Sequence, residues 1–348
     1  MINVIVIIGI LLLPLIGIRL GGGNPLSLDQ SNIIKGLAAL LLVCVHIGNS
    51  LPIPGAYSVI SAFGYLLVSI FFFYSGYGTF LGIDKRRKQG VRGEIYVAKQ
   101  ALKLIKLMVI VELLYFVVFA IYDHTDITLL NLLACLSGMK MLAGQMWYVL
   151  ACIIIDLAIC LFALLDRNKK YSFIHYTIAG VLLYATYIIA RGRPFHELQS
   201  CIAYLIGALV ITFPGFRDRI ISSSASIQNK RILISLFVFA FSNIVIYGTR
   251  HFYGDLFILR VIFGWVSVAS FLVMLLNTFS KCQISNKILI FSGGLFAEIY
   301  FLHQIVINVL DWQFPTLFSY NSIIVSIIVF AITIAISYII SYLRKSKV

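Results

Sequence analysis

Residues 322–343 read SIIVSIIVFAITIAISYIISYL, a run that contains no charged side chain. A helix needs about 20 apolar residues to cross the hydrocarbon core of a bilayer, so this run is long enough to span a membrane. Comparable runs recur along the whole chain of 348 residues, of which 61% are hydrophobic and only 11% are charged. Soluble domains are about 45–50% apolar and about 25% charged, so this composition excludes an ordinary soluble protein. It also excludes a disordered chain, which needs low hydrophobicity and high charge.

The distribution of the apolar runs predicts an all-α protein, a polytopic integral membrane helical bundle. We expect about ten core transmembrane helices within residues 30–343, one extra N-terminal transmembrane helix within residues 1–22, and no separate soluble domain. The short run Leu129–Leu136 cannot cross a bilayer and is expected at the interface or as a re-entrant segment. The predicted spans cover residues 2–18, 33–50, 58–82, 104–122, 146–166, 172–190, 199–214, 232–249, 257–279, 288–308 and 322–343.

The basic residues predict the orientation of the chain. Its net charge is +14, and in a polytopic membrane protein this excess indicates cytoplasmic loops rich in Lys and Arg rather than a nucleic-acid partner. If the loop 85–88 is cytoplasmic, 22 of the 27 Lys and Arg residues lie on that side. We therefore expect a multi-pass protein of the cell membrane with a cytoplasmic C-terminus and an external N-terminus. The expected inner cations include Arg19, Lys35, Arg167, Lys169, Lys170, Arg217, Arg219, Lys230, Arg231, Lys281, Arg344, Lys345 and Lys347.

The first apolar run, residues 2–18, is expected to be a retained helix. A secretory signal peptide has basic residues before its apolar stretch, whereas Arg19 comes after this one. The following stretch, Gly21-Gly22-Gly23-Asn24-Pro25, predicts a flexible cytoplasmic linker. The six cysteines form no CxxC pair and lie mostly in apolar runs, so we expect packing residues rather than disulfides or metal ligands.

Lys35 and His46 are the first candidates for chemistry. They are eleven residues apart, and eleven steps of about 100° return within about 20° of the start, so both side chains share one helix face. Their axial separation is about 16 Å, roughly half the thickness of the hydrocarbon core. Lys35 alone would be read as an interfacial cation, and His46 alone as a packing histidine. Ionisable groups inside a membrane nevertheless tend to mark a site or a pathway.

A second group of cations lies at the start of the span 104–122. Lys99, Lys103 and Lys106 have i, i+4, i+7 spacing and line one helix face. Two interpretations remain open, which are attraction to anionic lipid and binding of a polyanionic ligand.

Polar residues inside other spans are the remaining candidates. The stretch Phe71–Gly78 reads FFFYSGYG, which by itself indicates close helix packing. Glu112 and Asp156 lie deep in their spans, without partners that the sequence identifies. Four polar residues between 298 and 308 are too many for a lipid-facing helix and indicate either an interhelical hydrogen-bond network or a site. External loops combine charges with aromatic residues, which suits a hydroxyl-rich acceptor or an ordinary solvated surface. The loop residues are Arg191, Arg193, His196, Glu197, Arg250, His251, Tyr253, Asp255, Asp311 and Trp312.

The order of these features resembles that of the transmembrane acyltransferase family 3, the bacterial enzymes that O-acylate surface polysaccharides. Lys35, ten residues and His46 are followed by Phe71–Gly76, a basic inner segment, Trp147-Tyr148 and Tyr300-Phe301-Leu302-His303. The resemblance covers about residues 30–343. The sequence departs from the family in two ways. At the basic helix entry, where the family commonly has arginines and a proline, it has Lys99, Lys103 and Lys106 and no proline. The apolar run 2–18 is additional to the usual core.

The resemblance implies an acyl-coenzyme A donor, usually acetyl-CoA, in the cytoplasm and a surface polysaccharide or lipid-linked glycan acceptor outside. Membrane lipids are the other expected contact, and no metal is implied. A histidine midway through the membrane suits general-base catalysis on a hydroxyl, and an acyl-enzyme on His or Ser is the alternative. The class alternative is a lipid-linked glycan flippase or another transporter. The implied catalytic residues are His46 and His303, the donor-binding residues are Lys35, Lys99, Lys103 and Lys106, and the substrate path contains Ser75, Tyr77, Trp147 and Tyr300.

Overall fold

A computed structural model describes residues 2–53, 55–122, 128–166, 172–221, 224–251, 256–320 and 322–345. These residues are almost entirely helical, with one pair of three-residue strands. The helices are α1 Ile2–Leu12, α2 Leu28–Ser50, α3 Tyr57–Ser61, α4 Gly64–Arg87, α5 Gly93–Tyr122, α6 Leu129–Leu136, α7 Trp147–Leu165, α8 Phe173–Ala190, α9 Phe195–Thr212, α10 Pro214–Ile220, α11 Ala225–His251, α12 Phe257–Lys281, α13 Lys287–Gly294, α14 Phe296–Gln313, α15 Pro315–Tyr320 and α16 Ser322–Lys345. The strands are β1 Ile18–Leu20 and β2 Cys282–Ile284.

The long helices confirm a polytopic helical bundle. Among the described residues, nine helices are long and apolar enough to cross a membrane. The helices α13 and α14, which are bent by 78° at Leu295, make a tenth crossing if the pair forms one span. The predicted core of about ten helices agrees with this arrangement, and α6 is the short helix expected between two spans.

The N-terminal apolar run forms a helix that is shorter than the predicted span 2–18. The helix α1 ends at Leu12, and eleven residues rise only about 16 Å, well short of a bilayer core. The chain then forms β1, which pairs antiparallel with β2. The predicted flexible linker is also wrong, because the Gly21 amide donates to the Lys281 carbonyl at 2.7 Å and the Pro25 carbonyl accepts from the Tyr74 hydroxyl at 2.8 Å.

Helix boundaries extend beyond the apolar windows. The predicted span 33–50 begins five residues earlier, at Leu28, where the Ser27 hydroxyl accepts from the Gln30 amide and caps the first turn. The predicted span 104–122 begins at Gly93, because its basic first turns are helical although they are not apolar. Apolar length therefore marks the membrane-crossing part of a helix and not the whole helix.

The alternating helices give the bundle two ends. Helices α2 and α5 begin at one end of the bundle, and α4 and α9 finish there. We call this the basic end and the other the opposite end. The basic end contains Arg87, Arg217 and Lys281. Some of the predicted positions lie outside the described residues, namely those of Arg167, Lys169, Lys170, Tyr253, Asp255 and Lys347. The same holds for the side chains of Arg250, His251, Arg344 and Lys345.

Helices α2, α4 and α9 form the buried centre that holds the polar side chains. Most residues of α2 between Ile33 and Gly48 are buried. Helices α4 and α9 pack closely because Gly76 lies against the backbone of Tyr204, where a Cβ atom would collide with the carbonyl oxygen. The bend at Leu295 lets α13 pack against the first turns of α2, while α14 continues along it toward the opposite end.

Candidate active site

Two histidines from distant parts of the chain meet in the bundle. The imidazole of His46 on α2 and that of His303 on α14 have ring centroids 4.8 Å apart, with an interplanar angle of 52°. His303 is fully buried, and its Nδ1 lies 2.8 Å from the Ile299 carbonyl oxygen. A carbonyl oxygen can only accept, so Nδ1 carries the proton and Nε2 of the neutral ring is a free base. In the part of the chain that the structure describes, this Nε2 has no hydrogen-bond partner.

His46 also lines a cavity of about 600 Å³ toward the opposite end of the bundle. The cavity combines aromatic walls from Tyr65, Trp147 and Phe195 with many hydrogen-bonding groups, a lining that suits a hydroxyl-rich ligand. His46 therefore stands between this cavity and the buried base of His303. The other polar side chains that line it are Asn49, Ser61, Gln145, His196, Gln199, Asn243 and Arg260.

His196, in the first turn of α9, is held in this cavity by neighbouring side chains. Arg193 and Glu197 form an ion pair with a nitrogen–oxygen distance of 2.8 Å, which fixes the start of the helix. The hydrogen bond to Glu197 raises the pKa of Arg193, so the guanidinium stays charged. The His196 ring packs edge-on against Trp147, with centroids 5.8 Å apart. Among the predicted loop residues, His196 thus contributes directly to the cavity.

Lys35 lies on the same side of α2 as His46, as the eleven-residue spacing predicts. Its ammonium is 5.0 Å from the Phe296 ring and 5.9 Å from the Tyr74 ring. Phe296 and His303 both belong to α14, so this one helix contacts both motif residues of α2. Lys35 is only partly exposed, and in the described part of the chain it makes no hydrogen bond or ion pair. It is a cation held by aromatic faces, which leaves its charge available to a ligand.

Gly36 explains why a small residue follows the motif cation. A Cβ atom at this position would collide with the Leu289 carbonyl oxygen and with the Gly293 amide of α13. The close approach of α13 is what brings the start of α14, and with it Phe296, next to Lys35.

Aromatic residues fill the space between Lys35 and the histidines. Phe71 stacks on Phe296 with centroids 5.4 Å apart and meets Tyr300 at 5.6 Å. Tyr148 packs edge-on against Tyr300 at 5.6 Å, and its hydroxyl lies 2.6 Å from Ser75 Oγ. The structure thus brings Ser75 and Tyr300 together, two of the four residues predicted for the substrate path.

The other predicted residues are distributed more widely. Trp147 faces the cavity that His46 lines, whereas Tyr77 faces a separate cavity at the basic end, near Arg217. Lys99, Lys103 and Lys106 are exposed on α5, whose buried side carries Val97, Ala101 and Met108 instead. The structure does not bring the three lysines to Lys35, so their outward position favours the lipid interpretation.

A hydrogen-bond network behind Tyr300 was not identified from the sequence. The Tyr300 hydroxyl donates to the Gln145 carbonyl at 2.7 Å, and the Gln145 amide contacts the Tyr115 hydroxyl and, at 3.2 Å, the Phe301 carbonyl. Glu112 is fully buried and accepts from the Leu142 amide at 3.1 Å, so it holds the segment that leads to Gln145.

Asp156, the other buried carboxylate, accepts from the Tyr204 hydroxyl at 2.5 Å. Polar residues inside apolar spans, such as Asn243, were the signal that could have identified more of the cavity.

Comparison with known families identifies the chain. A family model described as an acyltransferase domain matches residues 28–342. The chain belongs to acyltransferase family 3. The comparisons with curated proteins and with solved structures found no match. The acyltransferase is thus a multi-pass membrane enzyme whose matched region includes both histidines and Lys35.

Within the acyltransferase, the available groups are those of acid–base chemistry. The described residues contain no group of three His, Cys, Asp or Glu side chains that could hold a metal ion. The structure does contain a pair of imidazoles, one beside a polar cavity and the other with an unprotonated nitrogen. An acyl transfer needs such a base to take a proton from the attacking hydroxyl.

Proposed function

We propose that the enzyme transfers an acyl group, such as acetyl, from cytoplasmic acyl-coenzyme A to a hydroxyl of an extracytoplasmic carbohydrate. The observation that carries this proposal is the position of His46, which touches both the polar cavity toward the opposite end and the imidazole of His303. The motif order in the sequence and the family membership agree with it. In this proposal the basic end faces the cytoplasm, in line with the distribution of Lys and Arg.

The acceptor hydroxyl occupies the cavity beside His46. The His46 imidazole takes the hydroxyl proton while the oxygen forms a bond to the thioester carbonyl carbon. The carbon–sulfur bond then breaks, and the departing coenzyme A thiolate receives the proton from His46. The result is an ester and free coenzyme A, so atoms and charge balance without a further reactant.

His303 supports His46 rather than facing the acceptor. Its Nε2 has no partner among the described residues and does not line the cavity, yet its ring touches that of His46. A neutral base at this distance stabilises the imidazolium that forms on His46 during transfer. Its tautomer is held by the Ile299 carbonyl, as is usual for histidines in proton-transfer sites.

Lys35 contacts the donor on its way to the histidine. The axial rise between the two residues is about 16 Å, so a ligand that reaches both must be long and must carry negative charge at one end. Acyl-coenzyme A has this form, with phosphates at one end and the thioester at the other. A flippase or another transporter is the class alternative, and the family match supports the acyltransferase.

The test uses purified protein with radiolabelled acetyl-CoA and a glycan fraction from the cell envelope. We expect label to appear in the glycan as an ester that mild alkali releases. His46→Ala should abolish this transfer, whereas His175→Ala, which changes an exposed histidine of α8, should not. A wild-type protein that neither transfers nor hydrolyses the donor would contradict the proposal.

A further inference from the structure

A second cavity opens at the basic end, on the other side of Lys35. It has a volume of about 690 Å³. It is lined by the loop from Gly22 to Leu26 and by Arg217, Asp218 and Ile221. Tyr77 closes it on the side of α4. This cavity is distinct from the one that His46 lines, with which it shares no lining residue.

Tyr74 connects this cavity to the motif cation. Its hydroxyl donates to the Pro25 carbonyl at 2.8 Å, and Pro25 lines the cavity. The ring of the same tyrosine lies 5.9 Å from the Lys35 ammonium. The basic-end cavity is therefore one side chain away from Lys35, and from there the aromatic residues Phe296, Phe71 and Tyr300 continue to the histidines.

The lining has the chemistry of a nucleotide-phosphate site. Gly22 has a positive φ angle, and a Cβ atom there would meet open space, so the backbone is exposed where a ligand can approach it closely. Arg217 supplies a guanidinium, the side chain best suited to a phosphate. Its hydrogen bond to Asp218, at 3.2 Å, joins two exposed side chains, and exposed pairs contribute little. The ring of Tyr77 offers a flat face for a base.

We propose that this cavity binds the nucleotide end of the acyl-coenzyme A donor, with Arg217 on a phosphate and the Gly22–Pro25 segment against the nucleotide. This inference rests on the proposed function and names the donor site within it. Lys35 then meets the donor beyond Tyr74, where the chain of the ligand turns toward His46. In this proposal the donor's anionic end lies in the cavity with Arg217. The sequence instead predicts that Lys99, Lys103 and Lys106 bind it.

The other cavity at the basic end is the main competitor. Its volume is about 560 Å³, and it is lined by Arg87 and Arg92. Arg92 pairs with Glu94 at 2.5 Å, whereas Arg87 stacks on Phe173 at 4.6 Å and keeps its charge. Two carboxylates, Asp84 and Glu94, also line this cavity. Among the described residues, its lining makes no hydrogen bond to Tyr74, the residue that joins the proposed donor cavity to Lys35, so its arginines provide a matched control.

The first experiment measures the affinity of the full-length purified protein for coenzyme A, without turnover. We expect Arg217→Gln to weaken binding about tenfold, since one charged contact to the ligand is lost. Arg87→Gln should bind as the wild type does. Each variant is first checked for unchanged thermal stability in detergent. Equal loss in Arg217→Gln and Arg87→Gln, or a loss in Arg87→Gln alone, would overturn the assignment.

A second experiment locates the ligand independently of charge. In a Cys282→Ser background, where the remaining native cysteines are buried, Ile221→Cys introduces a thiol in the proposed donor cavity. Ala163→Cys introduces one in the competing cavity. Coenzyme A should slow maleimide labelling at position 221 and not at position 163, and the reverse pattern would contradict the proposal. If the wild type transfers acetyl but neither result holds, only this inference fails; if the wild type does not bind coenzyme A, the proposed function fails with it.

Discussion

His46 and His303 lie on helices that are far apart in sequence, yet their imidazole rings are 4.8 Å from centroid to centroid. Only His46 of the two lines the polar cavity, and only His303 is completely buried. Two chemically identical side chains therefore have different surroundings. This asymmetry supports the proposed roles, in which His46 contacts the acceptor and His303 supports His46.

The first prediction concerns His46. His46→Ala should lower acyl transfer at least about a hundredfold, because a positioned general base typically contributes about 10²–10⁴-fold in rate. Binding of coenzyme A should change little, since the proposed site for the donor's anionic end lies near Lys35 and away from His46. The measurement is initial transfer rate together with donor affinity. Near wild-type transfer in a correctly folded His46→Ala protein would remove His46 from the mechanism.

A second prediction separates a coupled pair of histidines from two independent ones. His303→Ala should lower the rate less than His46→Ala does, because its Nε2 acts through the neighbouring ring. The double variant should be close to His46→Ala alone, since residues that act as a unit are not additive. If the two losses multiply, His303 acts on the substrate by itself. Donor affinity serves as the control for folding in all three variants.

Lys35 is predicted to affect the donor rather than the chemical step. Lys35→Gln should raise the KM for acetyl-CoA about tenfold, the loss expected for one charged contact, with a smaller change in kcat. Lys35→Arg should recover most of the affinity, because it restores the charge among the aromatic rings. Added salt should weaken donor binding in the wild type and less so in Lys35→Gln. A fall in kcat with unchanged KM would show that Lys35 belongs to the reacting centre instead.

Periodicity was enough to place Lys35 and His46 on one face, because a single helix fixes that relationship. The same applies to the all-α bundle, since the length of an apolar run depends only on local sequence. The contact between His46 and His303 could not be predicted in this way, because it depends on how α14 packs against α2 after the bend at Leu295. Family resemblance indicated both histidines but not that their rings touch.

The misassigned segments failed for identifiable physical reasons. The run 2–18 has the composition of a span, but the pairing of β1 with β2 and the turn after Leu12 shorten its helix. The glycines that follow look flexible in sequence, whereas hydrogen bonds to Lys281 and Tyr74 anchor them. In both cases the decisive partner lies far along the chain and leaves no local signal.

Gly36 gives a prediction about stability. Gly36→Ala should destabilise the protein by about 1–3 kcal/mol, because the new methyl group would collide with the backbone of α13 at Leu289 and Gly293. Gly78→Ala is the matched control, since nothing lies within 4 Å of a Cβ atom there. In a helix interior that change should stabilise by about 0.5–1 kcal/mol. Thermal unfolding in detergent should show opposite shifts, and similar shifts would mean that α13 does not pack tightly on α2.

The last prediction concerns Glu112 as a positioning residue. Its carboxylate accepts from the Leu142 amide, and the segment that starts there carries Gln145 and Trp147, which line the cavity proposed for the acceptor. Glu112→Ala leaves the half-buried Leu142 amide without its acceptor, at a cost of about 1–3 kcal/mol. The segment should then loosen and raise the KM for the glycan acceptor about tenfold, while the KM for acetyl-CoA stays the same. Glu112→Gln, whose amide oxygen can still accept, should recover much of the loss.

A purely structural role for Glu112 would give a different result. Asp156→Ala is the control, because Asp156 is equally buried but bonds to Tyr204 on α9 and not to the 142–147 segment. It should lower the thermal stability by a comparable amount and leave the acceptor KM unchanged. If both variants raise the acceptor KM equally, general destabilisation explains the effect. A rise confined to Glu112→Ala, together with recovery in Glu112→Gln, would establish that this buried carboxylate shapes the acceptor cavity through the Leu142 amide.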